Sequence, residues 1–231
     1  LWASCFETVS MAAGGALRIC TPIKHNWGSG VRELLVTNIG ELVTNEPLVK
    51  RGHAQGVAHQ DLGVVRDAWL LVQDGRVRVF GSGAAPSING SHLDAYQGLV
   101  LPGLVDAHTH PLFAGRRDGE FEKKLAGATY AQIAAGGGGI RKTVRATRAA
   151  SDEELLQQAL TFLTRTKSWG VTTVEVKSGY GLSVAEELRH VRLLSRLHEW
   201  TDQTLYVTCL ALHDISPDAE KPLTVFLVQA F

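Results

Sequence analysis

Sulfur is scarce in this sequence, with three cysteines and one methionine among 231 residues. Cys5, Cys20 and Cys209 are too few and too dispersed for a disulfide framework, and no C-x-x-C pair suggests a thiolate-held zinc or a redox couple. A reducing, cytoplasmic setting is the expectation. An excess of charge is missing too: 23 Lys and Arg balance 23 Asp and Glu. Without a basic face to collect phosphates or anionic lipid, neither nucleic acid nor a membrane surface is an expected partner. No apolar run approaches the roughly 18 residues of a spanning helix, and the N-terminus lacks the basic-then-apolar order of a signal peptide. What is present, 45% hydrophobic and 20% charged residues, describes an ordinary globular chain long enough to bury a core, and a small-molecule role fits it best.

Residues 1–30 do not begin with Met, hold Met11 as their first Met, and mix Pro, Gly and Trp without periodicity, so they are set aside as a poorly defined leader. From residue 31 to 98 short β-type runs at 34–39, 68–73 and 77–80 predict a small antiparallel, sandwich-like β-layer. Asp74-Gly75 between two of these runs is a hairpin signal. A polar loop with His53 and His59 interrupts the layer, both histidines expected on solvent. The continuous apolar run at 99–105 suits a strand buried on both faces, and with it a parallel sheet. Ser151 and Glu154 form a capping box ahead of Leu155, Leu156, Ala159, Leu160 and Leu163 at helical spacing, with Gly170 as the stop. A β-branched run at 171–176 follows. Val184, Leu188, Val191, Leu194 and Leu197 line one side of a second helix, and residues 205–212 read as a third strand. Strand, helix, strand, helix, strand argues for right-handed βαβ units in an α/β sheet or barrel.

Residues two apart on a strand point the same way, so His108 and His110 at the end of the apolar run aim both imidazoles at one place. Neutral imidazoles in pairs are good ligands for zinc or a similar transition metal. The position, beyond a strand and a Pro-Gly, is where an α/β barrel places its active site. Two satisfied or surface histidines are the plainer alternative. Tyr180, in a Gly-flanked turn, and His213 stand at the ends of the next two strands, where barrel loops converge. Their plainer readings are a packed turn aromatic and a capping or surface histidine. Gly136 to Gly139 is not a P-loop, because no Gly-Lys-Ser/Thr follows, and Gly81-Ser82-Gly83 fails as a dinucleotide fingerprint because Pro86 stands at the third glycine position. The tetrad reads as a flexible loop near a ligand. Arg116, Arg117 and Arg141 lie nearby for a carboxylate, which the planar guanidinium matches bidentately.

Leu101-Pro102-Gly103-Leu104-Val105-Asp106-Ala107-His108-Thr109-His110 resembles the first-strand signature of the amidohydrolase superfamily. Further blocks narrow the resemblance to the imidazolonepropionase family. They are Phe113-Ala114-Gly115 with Arg117, Glu120-Phe121, Leu125-Ala126-Gly127-Ala128-Thr129-Tyr130, Gly137-Gly138-Gly139-Ile140, Thr143-Val144-Arg145-Ala146-Thr147-Arg148 and Glu175-Val176-Lys177-Ser178-Gly179-Tyr180-Gly181-Leu182. The match is good over about residues 99–213 and looser through the β-layer. It implies metal-dependent hydrolysis of 4-imidazolone-5-propanoate to N-formimino-L-glutamate in histidine degradation, with Zn2+ or Fe3+ as cofactor, and leaves a homodimer open. Carried over by position, His108 and His110 are metal ligands, Arg117 holds the propanoate, and Tyr180 and His213 contact substrate. Thr208-Cys209-Leu210-Ala211-Leu212-His213 departs from the family's usual Gly-Ala-His ending, so His213 carries over least securely.

The resemblance also implies that a further metal-ligating His and a catalytic Asp come from later strands. Fewer residues remain after 103 than the about 250 of a full eight-stranded barrel. The expectation is therefore a leader (1–30), an N-terminal β domain (31–98) and an incomplete hydrolase barrel (99–231), with an apolar tail at 223–231 that no longer tracks the family. The catalytic acid–base residues are expected beyond the chain. The alternatives are another amidohydrolase acting on a cyclic amide or heterocycle, and a catalytically inactive fragment.

Overall fold

The structure is a computed structural model that describes residues 10–11, 17–18, 33–45, 62–211 and 213–214. Cys5, Cys20, His53, His59 and the 223–231 tail lie outside the described residues, as does the 1–30 leader apart from the paired two-residue strands β1 (Ser10–Met11) and β2 (Leu17–Arg18). The chain divides into two compact units, residues 1–105 with 167–173, and residues 106–166 with 174–231.

The first unit is built on β3 (Glu33–Val43), which pairs antiparallel with β4 (Val64–Gln73). Strand β5 (Arg76–Ser82) returns along β4 through Asp74 and Gly75, both at positive φ (50° and 76°). That is the backbone a tight two-residue hairpin needs, and it is why Asp-Gly marks the turn in the sequence. Strands β6 (Ser91–Asp94) and β7 (Leu99–Val100) then pair with β3 in the parallel sense. The sheet is therefore mixed, not antiparallel throughout, because the chain returns to the opposite side of β3 from β4. Its core is Val36, Ile39, Leu42, Ala68, Leu70, Ala95 and Val100. Each of its Val, Ile and Leu side chains contributes roughly 1.5–3 kcal/mol by leaving water, and Leu70→Ala would cost about 2–5 kcal/mol.

The apolar run at 99–105 is not one strand. Leu99 and Val100 belong to β7, and β8 (Leu104–Thr109) starts afresh after Leu101-Pro102-Gly103. Pro102 has no N–H to give to a ladder. Gly103 lies so close to Thr172 that a Cβ there would sit 2.1 Å from its Oγ1. Nor is the run buried on both faces, since Leu104 and Val105 are 48% and 51% exposed.

After β8 come α1 (Asp118–Leu125), α2 (Tyr130–Ala135), α3 (Ile140–Ala149) and α4 (Asp152–Ser168). Then follow β9 (Val171–Lys177), α5 (Val184–Arg196), a 3-10 turn (Leu197–Glu199) and β10 (Thr204–Thr208). Strand order is β10-β9-β8. The contacts between strands run start to start and end to end, as Leu104 N–H donates to Gly170 O, Thr109 Oγ1 to Glu175 O and Ser178 N–H to Thr208 O. The three strands are thus parallel and linked by helices, an α/β arrangement.

The Ser151 capping box is present: Glu154 N–H donates to Ser151 Oγ at 3.2 Å and Ser151 N–H to Glu154 Oε2 at 2.8 Å. Gly170 at φ 89° follows the helix. Three helices between β8 and the box have no counterpart in the sequence reading, although Thr129 and Gln132 form a second capping box at the start of α2. The glycine tetrad is pinned rather than flexible. Gly139 caps α3 and donates to Glu120 Oε1, and Arg145 donates to Gly137 O at 2.8 Å. Helix α5 buries Glu187, His190, Leu193 and Leu194; of the residues the apolar spacing marks, Leu194 and Leu197 are fully buried, Val184 and Val191 half-buried and Leu188 46% exposed, so the inner face is offset from the expected one but shares its last two leucines. Glu187 stands on that inner face, its carboxylate accepting two backbone hydrogen bonds. The third strand is shorter than expected, ending at Thr208 rather than 212.

Candidate functional site

All the side chains discussed here lie in the second unit. His108 is the fifth residue of β8 and His110 follows its end, with Thr109 buried between them. The alternation of the strand turns Thr109 inward, where its hydroxyl donates to Glu175 O of β9 at 2.7 Å, and sends the two imidazoles to the other side. Their ring centroids are 5.4 Å apart. Tyr180, from the turn after β9, lies with its ring 5.3 Å from that of His110. His213, after β10, is 4.9 Å from His110 and stacks on Tyr180 at 5.6 Å and 29°. Phe113 closes one side at 6.2 Å from Tyr180. Residues from three strand ends thus make one contiguous ring cluster.

Burial lowers the affinity of His110 for a proton, and the neighbouring His213 lowers it further; a backbone hydrogen bond with Ser178 works the other way. A neutral imidazole, the form a metal requires, is favoured. Nδ1 of His110 and Nδ1 of His213 are buried with no hydrogen-bond partner. Buried polar atoms without a partner call for an explanation, and an absent ligand is one. His110 therefore fits a metal-binding role. The fit is partial: among the described residues no group of three or more His, Cys, Asp or Glu side chains is arranged to hold an ion.

Arg117 does not join the cluster. It is the exposed N-cap residue of α1, and among the described residues its side chain makes no hydrogen bond or ion pair. Arg116 is held by Asp118 at 2.9 Å.

Sequence reading missed a polar group on β9. Glu175 and Lys177 are two apart, hence on one face, and Lys177 Nζ lies 2.5 Å from Glu175 Oε1, with side chains only 12% and 24% exposed. Thr208 Oγ1 donates to the same oxygen at 2.7 Å. The hydrogen bond from Lys177, then that from Thr208, hold the Glu175 carboxyl below its usual range. The signal was available in the period-2 spacing of Glu175-Val176-Lys177. Val174 and Val176, which alternate with them, are fully buried.

No family model matches the chain. Comparison with curated proteins gives an imidazolonepropionase of Pseudomonas syringae pv. tomato, 42% identical over 173 residues, 74% of this chain and 43% of that protein. Another, from Bacillus velezensis, is 41% identical over 197 residues, 84% of this chain and 46% of the relative. A third, from Yersinia enterocolitica, is 46% identical over 151 residues, 64% and 37% of the two chains. The chain spans less than half the length of these relatives. Among solved structures, a Xaa-Pro dipeptidase with bound methionine gives a TM-score of 0.46 at 15% identity, over 76% of this chain and 33% of the other, too low to carry an argument. The sequence relationship is with the imidazolonepropionases, over their N-terminal portion.

Proposed function

We propose that this chain is the opening part of an imidazolonepropionase, a cytoplasmic hydrolase that opens the cyclic amide of 4-imidazolone-5-propanoate to N-formimino-L-glutamate in histidine degradation. The observation that carries this reading is the convergence of His108, His110, Tyr180 and His213 from three successive strand ends. It is supported by identities of 41–46% to proteins of that name. In this reading residues 31–98 form a β domain and residues 99–231 the first βα units of an amidohydrolase-type barrel. His108 and His110 would hold Zn2+ or Fe3+. When bound, such an ion supplies Lewis-acid polarisation of a carbonyl and a water nucleophile available near neutral pH.

The chain's own residues handle the substrate. Tyr180 and His213 present a stacked wall against which a flat five-membered ring can lie, with the phenol and the imidazole nitrogens as hydrogen-bonding groups. Arg117, exposed and without a side-chain partner among the described residues, has its fork free for the propanoate. Burial and the neighbouring histidine keep His110 neutral, so it does not repel a cation.

The test is loss of 4-imidazolone-5-propanoate catalysed by the metal-loaded product of the complete reading frame containing this sequence. His108→Ala and His110→Ala should each abolish both turnover and stoichiometric metal. No turnover by metal-loaded wild-type protein sinks the proposal, and turnover of a different cyclic amide or heterocycle would move it to another amidohydrolase. A second reading concerns this 231-residue segment taken alone: with two histidines from one strand end as its proposed metal donors, it does not retain metal or turn over substrate. Tight, stoichiometric zinc in the isolated segment would refute that reading.

A further inference from the structure

Tyr180 sits in a turn whose backbone is held by a carboxylate that the sequence reading placed nowhere. Glu187, in the first turns of α5, is 2% exposed, and its Oε1 accepts from Gly181 N–H and from Leu182 N–H, each at 2.8 Å. Leu182 is fully buried at φ 52° and Gly179 lies at φ 124°, so the turn contains two backbone positions off the usual map. Such a backbone persists only when its surroundings over-determine it. Here they do. Arg148 Nε of α3 donates to Gly181 O at 2.7 Å, Ser178 N–H donates to Thr208 O at 3.0 Å, and Leu210 N–H donates to Ser178 Oγ at 3.0 Å. Among the described residues, Glu187 alone accepts from the two amides that immediately follow Tyr180. A carboxylate near the start of a helix is also favoured by the helix dipole.

We infer that Glu187 is a positioning residue for Tyr180: it clamps the 181–182 amides so that the phenol stays against His110 and His213. Its functional weight rests on the reading of Tyr180 as a substrate contact; its geometric content does not. Hydrogen bonds to charged acceptors are about twice as strong as neutral ones, and removing the acceptor strands two buried N–H groups.

The experiment is side-chain NMR on the 231-residue chain, following ring–ring NOEs of Tyr180 with His110 and His213, together with amide exchange of Gly181 and Leu182. Glu187→Ala should erase both Tyr180 NOEs while leaving the His108–His110 NOE, which depends on β8 and would vanish with general unfolding. Glu187→Gln, whose amide oxygen still accepts, should retain them. The two amides should be protected in wild type and exchange about 10- to 100-fold faster in Glu187→Ala. Unchanged Tyr180 NOEs in Glu187→Ala overturn the inference. If that variant does not fold, the test passes to wild type and Glu187→Gln. Gly181 and Leu182 amides exchanging freely in wild type, or Tyr180 NOEs lost from a folded Glu187→Gln, would then overturn it. None of these readouts uses substrate, so a failed assay for imidazolone propanoate bears on the proposed function and not on this inference.

Discussion

Gly179→Ala adds one methyl group against the His213 ring of the cluster. A Cβ at Gly179 would stand 2.6 Å from His213 Nδ1, 3.1 Å from its Cβ and 3.2 Å from its Cγ. Two costs follow. Holding a residue with a Cβ at φ 124°, beyond the left-handed helical region, costs about 1–3 kcal/mol, and overpacking against the imidazole costs about 1–3 kcal/mol more. Against these, alanine loses less freedom than glycine on folding, worth about 0.4–1 kcal/mol. The net expectation is a loss of about 1–6 kcal/mol, read from urea denaturation followed by circular dichroism. Gly75→Ala is the control: φ there is 76° but no atom lies within 4 Å of the added Cβ, so only the backbone cost of about 1–2 kcal/mol and the same entropic offset apply, a net loss of about 0–2 kcal/mol. In a His213→Ala background the cost of Gly179→Ala should fall by about 1–2 kcal/mol, because the ring atoms that collide are gone. If Gly179→Ala costs no more than Gly75→Ala, or costs the same with and without the His213 ring, the packing argument is wrong.

Ser151→Ala removes the half of the α4 capping box in which Glu154 N–H donates to Ser151 Oγ, leaves the Ser151 backbone N–H to Glu154 Oε2, and should lower stability by about 1 kcal/mol in the same assay; no change would mean that the first turn of α4 is satisfied otherwise. Acid should weaken the fold through two histidines. Burial depresses His110 and His190 below 6.5, with Glu187 and Glu186 opposing it at His190 and Arg189 and Arg148 reinforcing it. The unfolded chain therefore binds more protons just below pH 6.5, so the stability is intact above that pH and erodes as pH falls from 6.5 towards the folded values. His190→Leu should flatten urea midpoints measured across pH 5–8, and an unaltered slope would remove His190 as a cause.

The grouping of rings at the candidate site was legible where it depends on local rules. A period of two puts His108 and His110 together, and strand ends announce Tyr180 and His213, whatever the rest of the chain does. The hairpin at Asp74-Gly75 and the cap at Ser151 were legible for the same reason. What was hidden depends on partners distant in sequence. The inner face of α5 was legible in part: Leu194 and Leu197 are buried as their spacing marks, but Glu187 and His190 share that face, and hydrophobic spacing does not register a carboxylate or an imidazole. The run at 99–105 looked like one strand because its apolar content was read and the missing N–H of Pro102 was not. The 118–149 helices are short and weakly apolar, with few buried residues to set a rhythm.

The hydroxyl of Thr208 acts as a vernier mark between two strands. Parallel strands can slide past one another by two residues and still present the same faces, so alternation alone would not notice a slip that carried the end of β10 about 6.6 Å along β9. A backbone carbonyl recurs at every residue, but the Glu175 carboxyl does not, so the bond from Thr208 Oγ1 to Glu175 Oε1 is specific to one setting of that scale. The level at which the chain leaves β10 towards His213 is thus calibrated by a small residue outside the ring cluster.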